Sequence, residues 1–497
     1  MERDTESSKD QSHFSLEESF EKTDRSGRLF EQVYDYVVDR IKRREWAEHD
    51  RLPSIRQLAN ELQVHRLTVF KAYQLLKKDQ LIYVKDKSGY YVHPASALPP
   101  QSIQKQSLEH HTRTHFSISI QKNHLAEVHS IPVTYQFSQA LIDPNLLPNY
   151  YFSMHVKKVF DLYPKVLGTY APVQGDEELR ATLAAYFSLQ HRFHLSSDEL
   201  MITSGAQQAL ALVAKVFLKP RDVVMMECPT YSAAIDFFRQ QGAQIISVDI
   251  HPNGFDLEQV EKVMRQAKPR LFYVNPTFHN PTGYTVPARQ RKRLVELAEQ
   301  YHCMLVEDDA FHDIYFDQEP PQPLFTYDTE GVVLYIRSFS KYVAPGLRIA
   351  ALASRQSLMS NLLIAKSFID NGTPLLNQKI FSHYFLSPRF QKHLAKLRIA
   401  LEIRKEIMES ELKGSGWRWT TPTGGLNLWL ELPEHVHTNT LLAKSIDKSV
   451  SFVPGSICDP EQAMQRWLRL SYSYMNEQQI RIGMKRLLEQ FYSLTDS

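Results

Sequence analysis

The sequence predicts a two-part molecule: a small winged helix-turn-helix of α+β type near the N-terminus, then a linker, then a large α/β body with a smaller C-terminal α+β lobe. Three observations predict it. Helical spacings and a hairpin signal crowd into the stretch from Phe30 to Val92. Beyond about residue 165, short apolar runs alternate with helical stretches, the rhythm of a mostly parallel sheet covered by helices. Charge changes between the two parts: Arg40 to Ala95 holds twelve Lys/Arg and six Asp/Glu, and because the whole chain carries +2, the rest is net −4. A chain of 497 residues, 43% hydrophobic and 23% charged, is long enough for more than one domain and has the composition of a soluble globular protein. The polar start from Met1 to Gln11 and the absence of any apolar run near eighteen residues argue against secretion and membrane spanning. Three dispersed cysteines, Cys228, Cys303 and Cys458, form neither a C-x-x-C pair nor a disulfide framework, which fits a cytoplasmic protein without a metal site.

In chain order, residues 1–25 read as a disordered tail rich in Ser, Asp and Glu. Residues 26–95 form the first module. Val33, Val37 and Ile41 mark one helix, Ser54 stands where it can cap a second over Ile55 to Leu62, and a third runs from His65 to Lys78. Leu81 to Val84 and Tyr90 to Val92 form a hairpin, with Gly89 easing its turn or opening its second strand. Residues 96–132, with Pro-Pro and scattered His, Gln and Ser, read as linker. Residues 133–497 form the body, with a large lobe over about 165–360 and a small lobe over about 361–497 that also takes part of 133–164. Strands are predicted at Val223–Met226, Gln244–Val248, Arg270–Val274, Met304–Val306 and Val332–Ile336, then at Leu426–Glu431 and Trp467–Tyr472 in the small lobe.

The run Leu52-Pro53-Ser54-Ile55-Arg56-Gln57-Leu58-Ala59, continued by Val64-His65-Arg66-Leu67-Thr68-Val69-Phe70-Lys71-Ala72-Tyr73, resembles the winged helix of the GntR family of bacterial transcription regulators, as does Gly89-Tyr90-Tyr91-Val92 in the wing. A helix of this kind enters the major groove with its first exposed residues at base edges while cations hold phosphates. That places Arg66 and Thr68 at the start of the reading helix, Lys71 one turn on, and Arg56 and Lys87 on phosphate or in the minor groove of a double-stranded operator. Ser54 and His65 are the caps. The family usually carries Ser where this chain has His65, so the second cap and its phosphate contact are expected to differ. Tyr73, Leu75 and Leu76 are read as packing.

In the body, Ser338-Phe339-Ser340-Lys341 stands seven residues before Arg348. A lysine amine condenses with an aldehyde cofactor, and a hydroxyl and a guanidinium suit a phosphate. Asn280-Pro281-Thr282-Gly283, Glu307-Asp308-Asp309 and Thr203-Ser204-Gly205-Ala206-Gln207 complete a set that resembles the pyridoxal 5′-phosphate-dependent aminotransferases of fold type I. Fused behind a GntR-like head, the body is similar to the MocR branch of that regulator family, over about residues 30–490. The resemblance implies Lys341 as the lysine bonded to the cofactor in an aldimine, Asp308 on the ring nitrogen, Asn280 on the ring hydroxylate and Tyr231 stacked on the ring. It implies phosphate contacts from the backbone of Ala206 and Gln207 and from Ser338 and Arg348, with Tyr170 reaching the site of the neighbouring subunit in a homodimer. Arg469 matches the arginine that grips the α-carboxylate of an amino-acid-like ligand.

Some positions depart from the resemblance. The family tyrosine after the acidic motif falls on Ala310 or Phe311, and neither carries a hydroxyl, which predicts a raised pKa for the lysine-bound cofactor and slower chemistry. Arg337 replaces a small residue and either adds charge beside the phosphate or points to solvent. Asp309 is read as structural, and Gly424 and Gly425 stand either at the pocket mouth or in a turn. The combination points to a regulator whose body senses a ligand by aldimine exchange at Lys341, with paired or repeated operator half-sites. A genuine or bifunctional aminotransferase is the alternative, since Asn280, Asp308, Lys341 and Arg469 are all present.

Overall fold

The computed structural model describes residues 29–43, 45–79, 81–85, 88–94, 123–191 and 193–495. The chain divides into two compact units, Met1–Ser119 and Ile120–Ser497. The tail expected over 1–25 and most of the expected linker lie outside the described residues.

In the first unit, helices α1 (Leu29–Lys42), α2 (Ile55–Glu61) and α3 (Arg66–Lys78) are followed by antiparallel strands β1 (Ile82–Lys85) and β2 (Gly89–Val92). Val33 and Val37, one helical turn apart, pack with Leu58, Val69, Ala72, Tyr73 and Leu76 into a single small core. Ser54 opens α2 with a capping box: its Oγ accepts from Gln57 N while Gln57 Oε1 accepts from Ser54 N. His65 caps α3 through Nδ1, which accepts from Leu67 N at 3.3 Å, so an imidazole does the work usually done by a hydroxyl.

The second unit begins with helix α4 (His124–His129), inside the stretch that reads as linker, and strand β3 (Tyr135–Gln136). Its main sheet is built from β4 (Leu200–Thr203), β5 (Val223–Cys228), β6 (Gln244–His251), β7 (Gly254–Phe255), β8 (Leu271–Val274), β9 (Met304–Asp309), β10 (Val333–Ser338) and β11 (Ala350–Ala353), in the order β4-β11-β10-β9-β8-β5-β6-β7. The strands from β10 to β6 run parallel, while β11 pairs antiparallel with both β10 and β4. Alternate residues feed two separate cores: Leu305 joins the cluster on one face, Val306 the cluster on the other. The small lobe carries β12 (Arg418–Trp419), β13 (Asn427–Glu431), β14 (Val450–Ser451), β15 (Val453–Pro454) and β16 (Trp467–Ser471). Here β12-β13-β16-β15 form an antiparallel sheet, and β14 pairs parallel with β3. The short runs Leu200–Thr203 and Ala350–Ala353 were not among the predicted strands. Both are buried at every position, so neither shows the alternation that betrays a strand.

This topology gathers chemistry at one edge. Ser338 ends β10 opposite Ala350, and Ala350 also faces Thr203 at the end of β4. The reversed strand β11 therefore brings Arg348, two residues before it, to the edge where the parallel strands release their loops.

Candidate functional site

A cavity of about 150 Å³ opens at that edge. Gly205, Ala206 and Gln207 line it after β4, Tyr231 after β5, Asn275 and Asn280 after β8, Asp308, Ala310 and Phe311 at the end of β9, and Ser338 at the end of β10 with Ser340 and Lys341 after it, with Arg348 beside them. Of the body residues singled out from sequence, Lys341, Asp308, Asn280, Tyr231, Ala206, Gln207, Ser338 and Arg348 thus meet in one place. Arg469 and Tyr170 are not in its wall. Arg469 is buried on β16 and donates from Nη1 to Asn280 Oδ1 at 3.0 Å, one residue removed from the cavity. Tyr170 is 84% exposed.

The wall is electrically tuned. Burial lowers the Lys341 ammonium to about 8, helped by Arg469 and Arg348 and opposed by Asp308. Burial raises the Asp308 carboxyl to about 6, although the Tyr273 hydroxyl, 2.8 Å from Oδ2, pulls it down. Asp308 Oδ1 is buried with no partner among the described residues. The helix Ala206–Phe217 starts from Gly205, whose φ of 92° favours glycine. A Cβ there would also lie 2.4 Å from Arg348 Nη2, so glycine lets the guanidinium close over the helix end. The donors fit a phosphorylated, ring-bearing aldehyde: free backbone N–H groups at a helix N-terminus and a guanidinium for the phosphate, an amine of lowered proton affinity, and a carboxylate oxygen wanting a cation.

Two residues that sequence reasoning passed over brace this wall. Tyr273 holds Asp308, and Asn275 donates to the Asp308 carbonyl while its Oδ1 accepts from Asn280 N at 2.6 Å. The position of Asn275, directly after a predicted strand and five residues before Asn280, was the available signal. Arg337 neither lines the cavity nor reaches solvent. It is wholly buried on the other face of the sheet, with Nη1 3.0 Å from Asp309 and Nη2 2.7 Å from Asp313. Gly424 and Gly425 do not line the cavity; a Cβ on Gly424 would meet the Ile314 carbonyl at 2.3 Å, so close packing accounts for it. Cys228, Cys303 and Cys458 are all free and buried.

In the first unit, Ser54, Arg56, His65, Arg66 and Lys71 are exposed and Thr68 is half-buried, while Tyr73 and Leu76 are buried. The Tyr73 hydroxyl donates to the Pro53 carbonyl at 2.8 Å, tying α3 to the entry of α2. Lys87 lies outside the described residues. Among those described, no helix is long and apolar enough to cross a membrane, and no group of three or more His, Cys, Asp or Glu is placed to hold a metal ion.

Comparison with known proteins matches residues 161–487 to the family described as aminotransferase class I and II, and residues 29–92 to the bacterial regulatory proteins of the gntR family. The 2-aminoadipate transaminase of Thermus thermophilus is 33% identical over 72% of this chain and 89% of its own length. The HTH-type transcriptional regulator YisV of Bacillus subtilis is 29% identical over 93% of this chain and 95% of its own. Among solved structures, Pyrococcus horikoshii kynurenine aminotransferase covers 78% of this chain and 99% of its own with a TM-score of 0.73 and 29% identity.

Proposed function

Given that the chain belongs to the class I and II aminotransferase family through its body and is a GntR/MocR-type regulator, a helix-turn-helix head fused to that body, we propose that it binds a double-stranded DNA operator, holds pyridoxal 5′-phosphate at Lys341 and senses an amino-acid-like ligand there. The observation that carries the reading is the convergence of Lys341, Asp308, Asn280 and Arg348 on one cavity in a chain that also presents Arg66 and Lys71 on an exposed reading helix.

When bound, the cofactor supplies an aldehyde with which a lysine or a ligand amine condenses and a ring that withdraws electrons. The chain's own residues do the rest. Ala206 and Gln207 N–H groups with Ser338 and Arg348 would hold the phosphate, aided by Tyr170 from a second copy in a homodimer. Asp308 would keep a proton on the ring nitrogen, Asn280 would orient the ring, and Tyr231 would cover one face. Arg469 would take the ligand carboxylate, as its guanidinium fork suits. In the head, Arg66 and Thr68 would meet base edges, and Arg56, Lys71 and Lys87 the backbone, with Ser54 and His65 at the helix starts. A ligand shifts DNA binding only through its different affinity for two states of the body. The long connection between the units favours paired or repeated half-sites, and the protein works in the cytoplasm.

Aminotransferase activity is the second reading, favoured by the presence of every main pocket group; Ala310 and Phe311, neither with a hydroxyl at the pocket wall, favour regulation. Absorbance titration of the purified protein with a panel of amino acids and amines tests both. A visible band that one compound shifts supports sensing, sustained turnover of amino-acid and keto-acid pairs supports the enzyme, and no band after adding the cofactor overturns both. For the head, Lys71→Ala should weaken binding across DNA sequences and reduce the salt slope of log K by about 1.

A further inference from the structure

Two cations at the site, Arg469 and Lys341, are bonded to one short segment. Arg469 donates from Nη2 to the Ser138 carbonyl at 2.5 Å, and Lys341 donates from Nζ to the Ala140 carbonyl at 3.2 Å. Arg469 Nε is buried without a partner among the described residues, so its guanidinium is under-satisfied by neutral acceptors alone. The Ser138 carbonyl has a second donor, His129 Nε2 at 3.0 Å, from the last residue of α4. A carbonyl only accepts, so Nε2 carries the hydrogen. Burial pushes the imidazole down to about 4, and the nearby Arg469 adds to this, so His129 donates as a neutral ring and brings no further cation to the site.

Helix α4 has six residues, too few to persist without tertiary support. Beyond the His129 bond, it is held by Leu125, which packs with Trp429, Val453 and Cys458, and by the Asn123 cap on Ala126 N. It is also the first described element of the body after the segment that leads from the head.

We propose that His129 and the Ser138 carbonyl form a latch on Arg469 which an incoming α-carboxylate opens, loosening α4 where the chain enters the body. The inference rests on the ligand site proposed above and names how that site is read out. A carboxylate is a stronger acceptor for a guanidinium than a neutral carbonyl. Once it engages Arg469, the Ser138 carbonyl gives up Nη2 and shifts, and His129 loses the acceptor that its ring requires. His129 is thus a positioning residue that acts through Ser138, not a group that touches the ligand.

The test compares amide hydrogen exchange of full-length protein loaded with pyridoxal 5′-phosphate and with N-(5′-phosphopyridoxyl)glycine, which adds the amine and α-carboxylate but no side chain to be selected. Loading is followed by absorbance and by protection at the start of the helix Ala206–Phe217. The latch predicts roughly tenfold faster exchange over residues 124–138 with the glycine adduct than with the cofactor alone. His129→Phe should exchange fast in both states, and His129→Gln, which keeps an N–H donor, should restore the difference. Equal exchange over 124–138 in two fully loaded samples overturns the latch and leaves the site standing. Failure of either compound to bind overturns the site, and the latch falls with it.

Discussion

Asp308 and Asp309 are neighbours on β9, yet they live on opposite faces of the sheet in opposite electrical surroundings. Asp308 faces the cavity with one neutral partner, the Tyr273 hydroxyl, and burial lifts its carboxyl to about 6. Asp309 faces the other way, 2.9 Å from His312, 3.0 Å from Arg337 and 2.8 Å from the Tyr335 hydroxyl. Burial pushes that carboxyl up as well, but His312 and Arg337 together hold it well below the usual carboxylate range. The difference teaches where a ligand can act. A carboxylate without a cation is poised to receive one, whereas a carboxylate already locked to a guanidinium is part of the frame.

The largest test of that contrast is Arg337→Met. It strands Asp309 and Asp313 as buried charges, and should destabilise the body by about 3–5 kcal/mol in denaturant unfolding. Combining it with Asp309→Asn should recover part of the loss. A single-variant cost under about 1 kcal/mol would mean that the far face is no more tightly paired than the near one.

The pH dependence should differ in sign. Asp308 has a folded pKa above its unfolded value of about 3.9, so the folded apoprotein binds the proton more tightly. Its favourable contribution is full below about pH 4 and is lost as pH rises to about 6, a fall of about 3 kcal/mol. Asp309 has a lowered folded pKa. Its contribution is present above about pH 4 and disappears as pH falls below that. Asp308→Asn should therefore flatten the stability curve between pH 4 and 6, and Asp309→Asn the acid limb below it. Unfolding midpoints measured across pH in the cofactor-free protein check both, and identical curves for the two variants would break the comparison.

The near face was legible in the sequence and the far face was not, for a physical reason. Lys341, Asp308 and Asn280 each come at the end of or after an apolar run that reads as a strand, so their motifs carry both spacing and position, while Ala206 was legible through its motif alone. The head was legible through its caps and helical spacing, since Ser54 and the period of Val33, Val37 and Ile41 are local signals. Arg337 reads as a cation beside the phosphate or in solvent until its partners are known. Those are Asp309, 28 residues earlier, and Asp313, which only the pairing of β9 with β10 brings within reach. Strand β11 was missed because an alanine-rich run buried throughout has no alternation, although its reversal is what delivers Arg348. Helix α4 has only Leu125 and Val128 as buried residues, too little periodicity to stand out from its surroundings.

Tyr273→Phe sharpens the near side. Removing the hydroxyl takes away the one bond on Asp308 Oδ2 among the described residues and lets the carboxyl hold its proton more firmly, so a ring nitrogen must compete harder for the carboxylate. One such hydrogen bond is worth about 1 kcal/mol, so cofactor affinity should fall roughly fivefold, measured by absorbance titration. The far face should register nothing: below pH 4 the stability of the cofactor-free variant should change with pH as that of the unsubstituted protein does, offset only by the lost hydrogen bond.

Phe311→Tyr should have the smallest effect on stability and is the most informative about function. Phe311 is buried, lines the cavity and stands three residues after Asp308, one of the two positions, with Ala310, on which the family tyrosine falls. A hydroxyl returned there has no protein partner assigned to it, so in the cofactor-free protein it should cost up to about 1 kcal/mol. If it points at the ring oxygen of the bound cofactor, that cost vanishes on loading. The pH midpoint of the visible absorbance should then fall by about one unit, because a donor to the ring oxygen favours its anionic form. An unchanged midpoint with the stability cost persisting in the loaded protein would show that the ring of Phe311 points away from the cofactor. The missing hydroxyl would then cease to separate a sensor from an enzyme, and the burden of that distinction would pass to turnover measurements.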